Sequence, residues 1–259
     1  MSDREIQDWR QRLYESYVST GQSASKVSKS SRLDVADFPY YKRLLPLLRG
    51  NKSSEIADLG CGHGALLYCL RQWGYSNLSG VDVSAEQVKE AHRLGVVEVE
   101  AGDLLEWLKK QAVRLDVVFL MDVAEHMMRQ ELFDLLDAIL VSLREGGQLI
   151  MHVPNASGLF GMSVRYGDLT HENAFTPRSV AQGLSACGFT EIEVREDKPV
   201  VHNVKSSMRR MLWEIGTIFP KLLYAAETGN FPNVLTQNML VTAIKKTTTT
   251  STPATAELD

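Results

Sequence analysis

Little cysteine, no surplus of positive charge and no long apolar run set the first bounds on this chain. Cys61, Cys69 and Cys187 are the three cysteines in 259 residues. An odd number without metal-ligand spacing excludes a disulfide scaffold and a cysteine metal site, and fits small thiols in a reducing compartment. Lys and Arg number 28 against 32 Asp and Glu, for a net charge of −4. That balance gives no general pull toward DNA or RNA, so nucleic acid is not an expected partner. No apolar run approaches the roughly 20 residues of a membrane span. Met1-Ser2-Asp3-Arg4-Glu5 is polar and charged, unlike a secretory signal. These absences place the chain in the cytoplasm. The apolar fraction of 44% suffices for one sizeable core, or a core with an appendage.

What the chain does have is a glycine-rich turn between an apolar run and an amphipathic stretch. Ile56-Ala57-Asp58-Leu59 leads into Gly60-Cys61-Gly62-His63-Gly64, and Ala65 to Leu70 follow with helical spacing. A second apolar run ends in Gly80-Val81-Asp82. Glycines let such a turn fold tightly and approach a ligand closely. An acid at the tip of the second strand is placed to accept hydrogen bonds from a ribose. The dinucleotide fingerprint is G-x-G-x-x-G, which sets a helix N-terminus against a pyrophosphate. Here the turn reads G-x-G-x-G and Asp58 precedes it. A carboxylate there repels a pyrophosphate and suits an ammonium or a sulfonium. S-adenosylmethionine carries both charges and a ribose.

The middle of the chain alternates strand and helix. Strands are predicted near 55–59, 77–82, 96–100, 116–121 and 147–153, with later ones near 190–196 and 239–244. Helices are predicted near 38–48, 64–74, 84–94, 103–111, 130–143 and 177–187. Runs that are apolar throughout, such as Val117 to Met121, suit parallel strands covered on both faces. Right-handed crossovers then give an α/β doubly wound sheet with ligands at the carboxyl ends of its strands. Residues 1–19 carry a helical pattern, and 20–31 read as a polar linker or flap. A polar loop spans about 155–176. Between the last two strands Met208, Met211, Leu212, Ile215, Ile218, Phe219, Leu222 and Leu223 mark a helical face that Pro220 kinks or breaks. The Thr-rich tail, 247–259, has a disordered composition.

Asp58 to Gly64 resembles the first motif of class I S-adenosylmethionine-dependent methyltransferases. Val81-Asp82-Val83-Ser84, Ala101-Gly102-Asp103-Leu104 and Asp116 to His126 match further motifs in order. The resemblance implies a mainly parallel seven-stranded sheet with a helical cap insertion before the last strand. It divides the chain into an N-terminal helix and lid over 1–37, a core over 38–198, a cap over 199–236, a last strand over 237–246 and the tail. Asp58 would face the methionine end of the cofactor, with Gly60 and Gly62 running beneath it. Asp82 would take the ribose hydroxyls, and Val83 would pack beside the adenine. Asp103, with the Gly102 and Leu104 backbone, would meet the adenine amino group. Met121, Asp122 and Val123 would line the pocket, and Tyr17 would belong to the lid.

Methyl transfer from a sulfonium is an in-line displacement, so the protein must position the acceptor and remove a proton from a hydroxyl. His126, just after the fourth strand, is one candidate base; its competing role is to orient a loop. His171, with Asp168 as its partner and Glu172 beside it, is the second, in the loop after the fifth strand. The competing reading of that loop is a solvated polar surface. His152 reads as buried and structural. Asp122, Asp168 and His171 do not specify a metal, and none is expected.

Val153-Pro154-Asn155-Ala156, the loop from Asp168 to Glu172, Phe175-Thr176-Pro177 and the late helical insertion resemble methyltransferases of bacterial polysaccharide clusters. That implies O-methylation of a sugar, on a small or glycan acceptor that includes lipid-linked forms. A quinone precursor or natural-product phenol is the alternative, since Phe160, Met162, Tyr166 and Phe175 suit an aromatic slot. A non-catalytic cofactor-binding subunit is the third reading. Lys205, Arg209, Arg210 and Lys221 beside the apolar helical face leave peripheral contact with the inner membrane open, next to a pocket cover or a homodimer contact.

Overall fold

The computed structural model describes residues 33–111 and 114–247, together with Leu13. The expected N-terminal helix, the 20–31 linker, Tyr17 and the tail from 248 onward lie outside the described residues. Seven strands form one sheet: β1 (Glu55–Leu59), β2 (Asn77–Asp82), β3 (Val99–Ala101), β4 (Leu115–Met121), β5 (Leu143–Pro154), β6 (Phe189–Glu196) and β7 (Asn238–Lys245). Their order is β3-β2-β1-β4-β5-β7-β6. The pairs from β3 through β5 are parallel, and β7 runs antiparallel to both β5 and β6. The chain therefore winds outward from β1 in one direction and from β4 in the other. The crevice between the carboxyl ends of β1 and β4 is the switch point where such sheets bind ligands.

Side-chain alternation along the central strands builds two cores. From β4, Val118 and Leu120 join Leu59, Val81, Trp107, Leu135, Ile139, Leu149 and Val241 on one face. Val117 and Phe119 join Leu44, Ile56, Leu66, Leu70, Ile150 and Leu240 on the other. Strands buried on both faces explain why the central runs are apolar throughout.

The helices are α1 (Ala65–Gln72), α2 (Ala85–Arg93), α3 (Leu104–Lys110), α4 (Arg129–Ser142), α5 (Gly161–Arg165), α6 (Pro177–Ala186), α7 (Val204–Gly216) and α8 (Ile218–Thr228). Their starts are chemically marked. Ser84, Asp103, Thr176 and Asn203 each accept a backbone N–H of the first turn, and Pro177 takes the first helical position of α6.

Two elements differ from the sequence reading. The helix expected over 38–48 is a 3-10 helix, Tyr41–Leu47, with Pro46 inside it. Proline offers no N–H and crowds the carbonyl four residues back, so a continuous α-helix is disfavoured there. The third strand starts at Val99 rather than 96, because Gly95 and Val96 end α2. The Val96 N–H donates to the Ala91 carbonyl and the Gly95 N–H to that of His92, at 2.9 and 3.0 Å. In the insertion between β6 and β7 the expected break lies ahead of Pro220 and separates two helices. The break falls at Thr217, so Pro220 sits in the first turn of α8, where its missing N–H costs nothing. β6 and β7 pair despite the long insertion. On this insertion Met211, Leu212, Ile215, Phe219 and Leu223 are each more than half exposed. No helix among the described residues is long and apolar enough to cross a membrane.

Phe119 is fully buried in the middle of the sheet. Phe119→Ala should lower stability by about 3–5 kcal/mol through lost burial and the cavity left behind. Urea unfolding followed by circular dichroism measures this, and an unchanged midpoint would refute the central position of this ring.

Candidate functional site

The first part of the site is the turn that follows β1. The Gly60 N–H donates to the Val81 carbonyl at 2.8 Å, which ties the turn to β2. Gly60 has φ 75° and Gly62 has φ 54°, the left-handed region that glycine adopts without strain. At Gly60 a Cβ would fall 2.4 Å from Val123 Cγ2, so glycine lets the loop after β4 close against the turn. At Gly62 a Cβ would meet nothing nearer than 3.9 Å, which leaves the space above the turn open.

Asp82 braces this turn. Its Oδ2 accepts the Gly62 N–H at 2.7 Å and its Oδ1 accepts the Ser84 N–H at 2.8 Å. Burial pushes its carboxyl above the usual range, and these two N–H groups and His63 pull the other way. A carboxylate offers about four lone-pair sites, so Asp82 keeps acceptor capacity for a ligand hydroxyl.

Asp58 lies beneath the turn on β1 and is 2% exposed. Its Oδ1 is buried with no hydrogen-bond partner among the described residues. Burial, and then the neighbouring Asp82 charge, push the Asp58 carboxyl up to about 7. A buried, unpaired acceptor of this kind is costly by itself.

The third acid, Asp122, follows β4 with φ 56°, a positive value that Asp tolerates better than most residues. Its Oδ1 lies 2.6 Å from His152 Nδ1, and His152 Nε2 lies 3.0 Å from Asp197 Oδ2. Arg43 forms an ion pair with Asp197, and its guanidinium sits 3.3 Å over the Tyr40 ring. The Tyr40 edge packs on His152. Partial burial, with the side chain 56% exposed, works to raise the Asp122 carboxyl, but the attraction and hydrogen bond of His152, with His126 and Arg43, outweigh it and hold it below the usual range. His152 is buried, as the sequence suggests; its place between two carboxylates, and the parts of Tyr40, Arg43 and Asp197, have no sequence signal.

Beside Asp122 the chain forms a short 3-10 turn, Ala124–His126, whose Glu125 is 2% exposed. The Glu125 carbonyl accepts the N–H groups of Glu172 and Asn173 at 2.7 and 3.0 Å, fastening the loop after β5 to the loop after β4. Thr170 donates its hydroxyl proton to Asp168 Oδ1 at 2.7 Å. Its oxygen, 2.8 Å from His126 Nδ1, therefore accepts from that nitrogen. His171 Nδ1 likewise donates to the Val164 carbonyl at 3.1 Å. Nδ1 is thus the donor in each ring, and Nε2 is the nitrogen left to accept when the ring is neutral. The rings meet edge to face with centroids 4.7 Å apart. Burial and the neighbouring His171 push His126 down to about 4, against the pull of Asp168, Thr170 and Asp122. A path of hydrogen bonds thus runs from Asp168 through Thr170 to His126.

The structure gathers Asp58, Gly60, Gly62, Asp82, Met121, Asp122 and Val123 at the ends of β1, β2 and β4, with His126 and His171 on the adjoining loops. Val83 is exposed at the tip of β2. Asp103 caps α3 by accepting the Glu106 N–H at 2.9 Å, and Leu104 is buried in the core. The Gly102 N–H donates to the Asp82 carbonyl at 3.0 Å.

Known proteins resemble this chain in sequence and in fold. Trans-aconitate 2-methyltransferase of Pseudomonas paraeruginosa (strain DSM 24068 / PA7) is 37% identical over 103 residues, 39% of this chain and 36% of that protein. The same enzyme of Pseudomonas aeruginosa (strain UCBPP-PA14) is 35% identical over 103 residues, 39% of this chain and 36% of that protein. The match thus spans about a third of the length of these curated relatives. Among solved structures, a SAM-dependent methyltransferase from Archaeoglobus fulgidus superposes with a TM-score of 0.60 at 20% identity, covering 91% of this chain and 99% of that one. Human N-acetylserotonin methyltransferase in complex with SAM gives 0.54 at 16%, covering 80% and 52%. These structures share the fold. The model of a family described as a methyltransferase domain matches residues 34–194, which takes in the glycine turn, all three acids and both histidines. With more than half of its length matched there, the chain belongs to the methyltransferase-domain family.

Proposed function

We propose that this chain is an S-adenosylmethionine-dependent O-methyltransferase whose acceptor is a hydroxyl, with a sugar hydroxyl as the first reading. The observation that carries the cofactor is the buried Asp58 oxygen without a partner beneath an open glycine turn. A cationic amino-acid end fits an acid of that kind, and a pyrophosphate does not. Asp82, with acceptor capacity left at the tip of β2, suits a ribose, and exposed Val83 offers an apolar surface for adenine. When bound, the cofactor supplies a methyl group already activated on a sulfonium. Asp58 would hold the positive end, Gly60 and Gly62 would let the backbone pass close, and Asp122 would be held rigid by His152.

The histidine pair supports a hydroxyl acceptor. An imidazole in its neutral form can receive a proton that a hydroxyl must lose, whereas a carboxylate acceptor has none to give. Asp168, through Thr170, keeps His126 in the tautomer this requires. The polar loop from Asp168 to Glu172 favours a sugar. Exposed Phe160, Met162 and Tyr166 on the same loop region favour the second reading, a phenolic or quinone-precursor acceptor.

Calorimetry with S-adenosylmethionine tests the first claim. The full chain should bind it, and Asp82→Ala should lose most of the affinity; absence of binding to the unaltered protein would overturn the reading. His126→Ala and His171→Ala should each cut turnover by about 10²–10⁴ with cofactor affinity unchanged. An acceptor screen running from nucleotide-linked sugars to phenols separates the two readings.

Asp58 predicts opposite signs for stability and binding. Its folded-state pKa of about 7 lies above its ordinary 3.8, so the folded protein gains stability from this group as pH falls from 7 toward 4 and loses it as pH rises through 7. A bound cation needs the ionised form, so cofactor affinity should fall by about tenfold per pH unit below 7. Asp58→Asn should raise the ligand-free melting temperature at pH 8 and weaken cofactor binding. Scanning calorimetry and titration of this variant check both signs, and a lower melting temperature would refute the unpaired charge.

A further inference from the structure

We propose that Glu125, His126 and His171 form a binding site for one divalent first-row metal ion, of the zinc or manganese class, beside the methyl-transfer site. A carboxylate oxygen of Glu125 and one ring nitrogen of each histidine lie within 4.8 Å of one another. Tetrahedral ligands on zinc stand about 3.4 Å apart, given bonds of about 2.0–2.1 Å, so rotation of the side chains by little more than an ångström closes the site.

Two further observations point to a cation. First, Glu125 is 2% exposed, and its Oε2 is buried without a hydrogen-bond partner among the described residues. A buried carboxylate oxygen in that state calls for a proton or a positive charge. Second, both histidines are already held as metal-ligating histidines are held elsewhere. His171 Nδ1–H rests on a backbone carbonyl, and His126 Nδ1–H rests on a threonine that is itself fixed by a carboxylate. That arrangement sets the tautomer, orients the ring and turns the Nε2 lone pair toward a ligand. The Glu125 backbone carbonyl meanwhile locks the His171 loop against its own. The ligand set thus comes from two loops fastened to each other.

The donor set selects the class of ion. Two imidazoles and one carboxylate suit zinc, manganese or iron(II), whereas magnesium and calcium prefer oxygen throughout. Three protein ligands leave a position open, as catalytic rather than structural sites do. With the ion bound, the two imidazoles serve as ligands in place of bases, and an acceptor hydroxyl in the open position would become more acidic and release its proton to solvent. This last role rests on the proposed methyl transfer; the binding of the ion does not.

The test uses the full chain stripped with a chelator. Titration with Zn²⁺, counted by equilibrium dialysis and elemental analysis, should give one tightly bound equivalent. Glu125→Gln and His171→Asn should each weaken binding by at least tenfold while circular dichroism and S-adenosylmethionine affinity stay unchanged. Co²⁺ in place of zinc should show visible d–d bands that disappear in His171→Asn. Thr170→Val, which removes only the support of His126, should weaken the metal by about 10–100-fold. No stoichiometric metal, or binding by both ligand variants as tight as by the unaltered chain, overturns the site. Cofactor binding measured in parallel keeps its failure distinct from failure of the methyltransferase reading.

Discussion

Negative charge gathered at the ends of parallel strands is the constraint around which this structure is organised. Asp58, Asp82, Asp122 and Glu125 all lie where β1, β2 and β4 deliver the chain into the crevice at the switch point. Each is answered differently. Backbone N–H groups answer Asp82, and a histidine answers Asp122. Asp58 and Glu125 are buried with one oxygen unanswered. A core of this size can tolerate two such groups because its apolar layers cover both faces of the sheet. The unanswered oxygens mark where a ligand's charge fits best, which is the usual trade between stability and function.

The supports of this crevice come from distant parts of the chain. Asp122 leans on His152 of β5, His152 on Asp197 just past β6, and Asp197 on Arg43 of the 3-10 helix that precedes β1. One chain of polar contacts therefore crosses from the 3-10 helix before β1 to the end of β6 at the sheet edge. Arg43 is stacked on Tyr40, and Tyr40 returns to His152, so the path closes on itself. The contacts of this ring of residues tie together the backbone from which the loop carrying Glu125 and His126 departs, though the Tyr40 hydroxyl and part of the Arg43 guanidinium are buried without a hydrogen-bond partner among the described residues.

What the sequence discloses and what it hides divide along this line. The glycine turn, Asp58 and Asp82 are legible because their geometry is set within a single strand–turn–helix–strand unit. The central strands are legible because burial on both faces leaves an apolar run that no helix face imitates. Arg43 and Asp197 are illegible because nothing local distinguishes a lysine-rich or acidic surface residue from a paired one. Asp168 and His171 are close in sequence and invite pairing, and nothing in the sequence marks the hydrogen bond that Thr170 makes to Asp168. Glu125 reads as an ordinary surface acid until the loop after β5 folds over it. In α7 and α8 the periodicity locates an apolar face correctly and says nothing of what meets it.

The backbone at Asp122 carries a consequence for how such a chain can change over generations. A positive φ admits glycine, asparagine and aspartate with little strain and penalises nearly everything else. The bond to His152 asks for a carboxylate. Glutamate would keep the charge and strain the backbone, while asparagine or glycine would keep the backbone and lose the charge. The two requirements intersect on a single residue type, so drift at this position is closed unless His152 changes with it.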